Sequence, residues 1–212
     1  MKLLLYCTKA KPYLYDHLGI RRSWDKRFNI QKVKQSGLDD LLLNGKIVAE
    51  CDFEVEEITI GRSYGFRPNM CIISTKNLQP IELLSKSCYE SYDDLFKYLK
   101  YDFDNDYGTH KGPYGYAIHI RNLHIFGEPK ELSDYKIIRN NGYSRLTLTK
   151  APQNMMKVKE FKNGIVADYV LISIHPEELC KILNGEKTIE VRKKVLKEVL
   201  SDESKFNCRR FY

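Results

Sequence analysis

From Val170 to Arg192 the chain changes its hydrophobic period twice, and this constrains the fold more than any other stretch. Val170 to Ile174 is apolar and rich in β-branched residues, which predicts a buried strand. Pro176 suits the first position of a helix, where its missing N–H costs nothing. Glu177 and Glu178 follow in the first turn, where the helix dipole favours acids. Leu179, Ile182 and Leu183 make one apolar face, and Asn184-Gly185 stops the helix because glycine adopts a left-handed cap without steric cost. The period then becomes two: Lys187, Ile189 and Val191 alternate with Thr188, Glu190 and Arg192. A strand–helix–strand unit of this size cannot bury its apolar faces alone and must complete a larger sheet.

Strict alternation places Lys187 on the Ile189 face and Glu190 with Arg192 on the other. A lysine directly after a helix stop can also leave that face where the strand starts. Spacing alone reads as a solvated lysine beside a surface ion pair.

The rest of the chain is also a series of strands with a few helices. Leu3 to Cys7 predicts a buried strand. After an Asn44-Gly45 turn, Ile47, Ala49, Cys51, Phe53 and Val55 alternate with a largely acidic face. Glu56-Glu57 then shifts the phase so that Ile58 and Ile60 become the apolar positions, as a β-bulge would do. Gly61 to Asn69 predicts a loop and Cys71 to Ser74 a short strand. Ser91, with Asp94 three residues on, caps a helix from Tyr92 to about Lys100. Tyr116 to Phe126 predicts a strand with a one-residue shift, placing His119 and Arg121 opposite Ile118 and Ile120. Gly127 to Pro129 predicts a turn, Arg145 to Thr149 and Met155 to Val158 strands, and Phe161 to Asp168 a linker or turn around Asn163-Gly164.

Asp102, Asp104 and Asp106 have the spacing of a calcium loop, but no glutamate closes it, and we expect no metal site. The six cysteines show neither zinc spacing nor a Cys-x-x-Cys pair, which points to reduced thiols and a cytoplasmic protein. The N-terminal apolar run is too short for a signal peptide, and no window approaches a membrane span, so a membrane partner is excluded.

A formal net charge of +7 on 212 residues favours an anionic partner. The excess is concentrated toward the C-terminus, where Lys181 to Tyr212 holds nine Lys or Arg against five Asp or Glu. Between Lys9 and Arg27, cations alternate with aromatic residues, Tyr13 among them, a mixture that suits either an RNA surface or a polar loop with packed rings.

Ile172-Ser-Ile-His-Pro176 followed by Asn184-Gly-Glu-Lys-Thr-Ile-Glu-Val-Arg192 resembles the opening motif of ASCH domains, relatives of the PUA fold. Leu4-Leu-Tyr-Cys-Thr-Lys9, Asn44-Gly-Lys-Ile-Val-Ala-Glu50, Gly115-Tyr-Ala-Ile-His-Ile120, Leu123-His-Ile-Phe126, Pro129-Lys-Glu-Leu132 and Leu148-Thr-Lys-Ala-Pro-Gln153 resemble further parts of the same domain, chiefly the subgroup of phages and mobile elements. The resemblance implies an α+β fold, a PUA-like mixed β pseudobarrel with a few flanking helices. The motif order is permuted, since the segment that opens the family stands last here. Either one circularly permuted domain spans 1–212, or an incomplete domain is completed by a second molecule, which leaves a homo-oligomer open. In the first reading 1–160 is the main body, 161–169 a linker, 170–194 the strand–helix–strand that completes the barrel, and 195–212 a basic tail.

The resemblance also implies a cleft that binds RNA or a modified nucleotide without a cofactor. Lys187, Arg192, Lys9, Tyr13, His119 and Arg121 are the candidate nucleic-acid-binding residues, and Lys187 with Glu190 the candidate catalytic pair. Similar small proteins deacetylate acetylcytidine with a lysine and a threonine three residues later. Glu190 occupies that threonine position, so the nucleophile is absent and an ion pair replaces it. Hydrolysis of RNA or a modified nucleoside, and a role as a host-protein interaction module, remain the alternatives.

Overall fold

The structure is a computed structural model, and it describes residues 1–8, 45–62, 71–101, 112–138, 145–162 and 165–201. The chain is mixed α+β. Its strands are β1 (Lys2–Cys7), β2 (Ile47–Arg62), β3 (Cys71–Ser74), β4 (Gly115–Lys130), β5 (Tyr135–Ile138), β6 (Arg145–Thr147), β7 (Met155–Lys162), β8 (Ile165–Ile174) and β9 (Ile189–Arg192). The helices are α1 (Pro80–Ser87), α2 (Tyr92–Leu99), α3 (Pro176–Leu183) and α4 (Lys197–Ser201), with a 3-10 turn at Leu132–Asp134. Two compact units form, Met1–Asp52 with Arg121–Gly185, and Phe53–Ile120 with Glu186–Tyr212. The division falls inside the long strands β2 and β4.

In the first unit the strand order is β6-β5-β7-β8-β1-β2. β1 pairs in parallel with β8, Leu3 opposite Val170 through Cys7 opposite Ile174, and antiparallel with β2. The N-terminal strand therefore lies in the sheet of the Val170 strand, as the motif order leads one to expect. β1 and the second half of β8 are buried on both faces, which is why they read as nearly unbroken apolar runs: Leu3 to Cys7 and, with Ser173 the polar exception, Val170 to Ile174 are all buried. Leu4, Tyr6, Ile47, Phe126, Tyr135, Leu148, Val158 and Leu171 form one continuous core.

Several expectations are corrected here. Among the described residues no pairing joins the end strands, so the sheet is open where a pseudobarrel was implied. In this unit the order ends on β6. The stretch read as a linker or turn is instead mostly strand: β7 and β8 pair antiparallel as far as Phe161 opposite Val166 and Lys162 opposite Ile165. β4 runs on through Gly127 and Pro129 to Lys130 instead of turning. The expected phase shift in β4 is present, marked by Asn122 at φ 49° in the left-handed region, its side chain donating to Asp52 at 2.8 Å.

In the second unit β3 pairs antiparallel with the far end of β2, and β9 antiparallel with the start of β4. Two helices cover one face. α2 is capped as expected: Ser91 Oγ accepts from the Asp94 amide at 3.2 Å and donates to its carboxylate at 2.7 Å. Leu95, Phe96 and Leu99 of α2 join Ile58, Ile73, Leu83, Ala117, Ile189 and Val191 in a second core. α1 was not foreseen. Pro80 stands in its first turn and Glu82 bonds back to the Gln79 amide at 3.1 Å, but exposed Ile81 breaks the apolar stripe. α4 adds a helical turn inside the stretch read as a tail. Among the described residues no helix is long and apolar enough to cross a membrane.

Burial pushes the Cys7 and Cys51 thiols up to about 12, so the reactive thiolate is scarce at neutral pH. A chain truncated after Phe161 loses β8, which separates β7 from β1, and is expected to be insoluble or molten. Four buried apolar side chains, Val170, Leu171, Ile172 and Ile174, at about 1.5–3 kcal/mol each approach the whole stability of a domain. Circular dichroism of the 1–161 fragment checks this, and a cooperative melt contradicts it.

Candidate functional site

The helix stop works as the sequence suggests. Asn184 closes α3 and Gly185 takes φ 75°, which only glycine adopts without strain. The strand after it begins two residues later than strict alternation supposes, at Ile189, so Glu186 to Thr188 are not bound to strand geometry. Hydrogen bonds within the second unit hold this segment instead. Cys88 Sγ donates to the Glu186 carbonyl at 3.4 Å, the Thr188 amide donates to the Lys86 carbonyl at 3.0 Å, and the Thr188 carbonyl accepts from the Ile120 amide at 2.9 Å.

Lys187, fixed between those anchors, turns to the Glu190 face rather than the Ile189 face. Its Nζ lies 2.8 Å from Glu190 Oε2, and the other carboxylate oxygen lies 2.8 Å from Arg192 Nε. Both are charge contacts rather than well-aligned hydrogen bonds. The Lys187 and Glu190 side chains are 4% and 8% exposed, and Arg192 is 16% exposed. The surface ion pair expected from spacing is thus a chain of buried cation, buried carboxylate and half-buried cation. Ile118 of β4 stands opposite Glu190 and Tyr116 opposite Arg192, so they share that face, while Ile189 and Val191 serve the helix-covered core.

Tyr98 of α2 stands against Lys193, the residue after β9, a neighbour that the sequence did not reveal. Burial pushes its hydroxyl's pKa upward; Arg192 pulls it down, Glu190 pushes it up and Lys187 pulls it down, so it lies within electrostatic reach of all three. Lys193 Nζ sits 5.0 Å from its ring centre. Tyr98, three residues after Leu95, lies at the edge of the Leu95, Phe96 and Leu99 stripe, so the helical period marks it only as a ring at the rim of the core. Gly115 sets the approach of strand and helix: a Cβ there would lie 2.5 Å from Leu99 Cδ2 and 3.0 Å from the Arg192 carbonyl.

His119 belongs to a different constellation, on the opposite face of the β4–β9 pair. Cross-strand register places it with Ile189, and its Nε2 lies 3.2 Å from Glu56 Oε1. Asn77 donates to the same carboxylate through Nδ2 at 2.6 Å and through its amide at 3.3 Å. The phase shift in β2 produces this arrangement: Val55 and Glu56 are buried in succession, so Glu56 faces inward with Ile58. Glu56 also lines an open cleft of about 360 Å³ with Glu57, Thr59, Ser74, Thr75 and Lys76. Arg121 is exposed on β4 within the first unit. Lys9, Tyr13 and Asp102 to Asp106 lie outside the described residues.

The Lys187–Glu190–Arg192 chain can fix a guanidinium against a carboxylate that a buried ammonium also neutralises. It does not include a nucleophile, because Thr188, the nearest hydroxyl in sequence, is exposed and adjacent to Lys187 rather than three residues on. Compared with protein-family models, with curated proteins and with solved structures, the chain matches none.

Removing the shared carboxylate takes an ion-pair partner from buried Lys187 and from half-buried Arg192. Glu190→Ala is expected to destabilise the protein by about 3–5 kcal/mol, the scale for breaking a buried ion pair from one side. Adding Lys187→Met should recover part of that loss. Urea melts of the single and double variants measure both, and a loss under about 1 kcal/mol for Glu190→Ala contradicts the geometry.

Proposed function

We propose that the protein binds RNA or a modified nucleotide, with Arg192 presented to the ligand and Glu190 and Lys187 positioning it. The observation that carries this reading is the largely buried chain of Lys187, Glu190 and Arg192, with 2.8 Å at both contacts. Such a chain is a poor way to stabilise a core, since apolar residues of the same volume do as well or better. Its more economical role is to orient a guanidinium whose planar fork suits phosphate or a base edge. The net charge of +7 and the cations at Lys193, Lys194 and Lys197 beyond β9 point to the same class of partner.

The fold relationship is part of the proposal. A permuted, PUA-like domain of the ASCH type accounts for the motif order, and the parallel pairing of β1 with β8 within one chain supports completion in cis rather than by a second molecule. Hydrolysis of acetylcytidine is disfavoured, because Glu190 replaces the threonine hydroxyl and is engaged with two cations.

The burial of Lys187 separates its role from that of Arg192. With a short mixed-sequence RNA as probe, Arg192→Ala should lower affinity and reduce the slope of log K against log salt by about one unit. Lys187→Met should lower affinity with the slope nearly unchanged, because a buried ammonium displaces no counterion. Equal affinity and slope in wild type and both variants places the interface elsewhere.

Acetylcytidine supplies a separate check. The wild-type protein is expected to release no acetate, and Glu190→Thr to create or raise deacetylation. Efficient turnover by the wild type that disappears in Glu190→Gln makes Glu190 itself catalytic and overturns the assignment.

A further inference from the structure

We infer that Tyr98 is a stacking platform for one unpaired base, so that the ligand is single-stranded or extruded RNA rather than duplex. This rests on the RNA-binding reading of the same site and adds the ligand's class. Tyr98 is half-buried, packed against the core of the second unit, with Tyr89 at 5.9 Å and tilted by 46°. Its ring also carries Lys193, whose ammonium stands 5.0 Å from the centroid. A lysine over a ring is held by the ring quadrupole alone and swings away on four rotatable bonds. A nucleobase gains more from the same ring than a solvated ammonium does, because it also removes two apolar faces from water.

The surrounding charges suit that exchange. Lys193, whose ammonium stands over the Tyr98 ring, directly follows Arg192, the last residue of β9. A base that displaces Lys193 from the ring places its own phosphate near both cations. In a duplex the bases are already stacked on one another, and none is free to meet the ring unless it is unpaired. The platform accepts any base, since every base has a π-face, so sequence preference is weak and strandedness is decisive.

The test compares one RNA sequence as a single strand and as a duplex. The single strand should bind about tenfold or more tightly than the duplex. Tyr98→Leu, which keeps apolar packing but removes the ring, should lower single-strand affinity about tenfold with its salt slope unchanged, and Tyr98→Phe should stay within about twofold of wild type. A single strand carrying 2-aminopurine reads stacking with the unaltered protein, independently of how the variants fold: quenching on binding is expected. Equal or tighter duplex binding, full affinity of folded Tyr98→Leu, or unquenched emission in the bound complex overturns the inference. If RNA binds with an Arg192-dependent slope and any of these three results appears, only the platform falls. If neither RNA form binds, the RNA-binding reading falls with it.

Discussion

A single carboxylate, Glu190, shared between Lys187 and Arg192 at 2.8 Å each, organises the second unit's end of β9. It stands on a strand whose alternate residues, Ile189 and Val191, are locked into the helix-covered core, so its direction is fixed from behind. The positions around it follow. Gly185 ends α3, the anchored segment Glu186 to Thr188 releases Lys187 from strand geometry, and Gly115 lets Leu99 and the Arg192 carbonyl approach closely. Three charges in a nearly closed site are stable only when all are present, which explains why a local rule of strand alternation is broken there.

The same unit buries a second carboxylate by another device. At Val55–Glu56 the strand shifts phase and Glu56 turns inward, where Asn77 and His119 receive it. The two sites lie on opposite faces of the β4–β9 pair, so His119 is separated from the residues grouped with it on sequence grounds. The Asn77 bonds tie the residues before α1 to β2, a structural use that needs no ligand. Glu56 and Glu190 thus carry similar burial with different consequences: one braces a connection, and the other orients a cation.

Much of this was legible in the residues because local signals and tertiary packing agree. Ser91 with Asp94, Pro176 with Gly185, and the runs Leu3 to Cys7 and Val170 to Ile174 each point to the element that forms. Departures arise where long-range pairing overrides a local breaker. β4 passes through Gly127 and Pro129, and β7 and β8 pair across what reads as a linker. α1 is hidden by exposed Ile81, which spoils its apolar period. At the site, the shared face of Glu190 and Arg192 followed from period two, whereas the burial of Lys187 and Glu190 depends on distant residues. Tyr98 was out of reach, since a pairing between α2 and β9 leaves no trace in either segment's period.

The most direct measurement replaces the whole charged chain at once. The variant Lys187→Met, Glu190→Leu, Arg192→Met roughly keeps side-chain volume and removes all three charges of the chain, and both its melting temperature and its binding of single-stranded RNA are read. If the chain exists to present Arg192, the melting temperature stays level or rises while RNA binding is lost. A variant that binds RNA as wild type does, or one that no longer folds, contradicts the account.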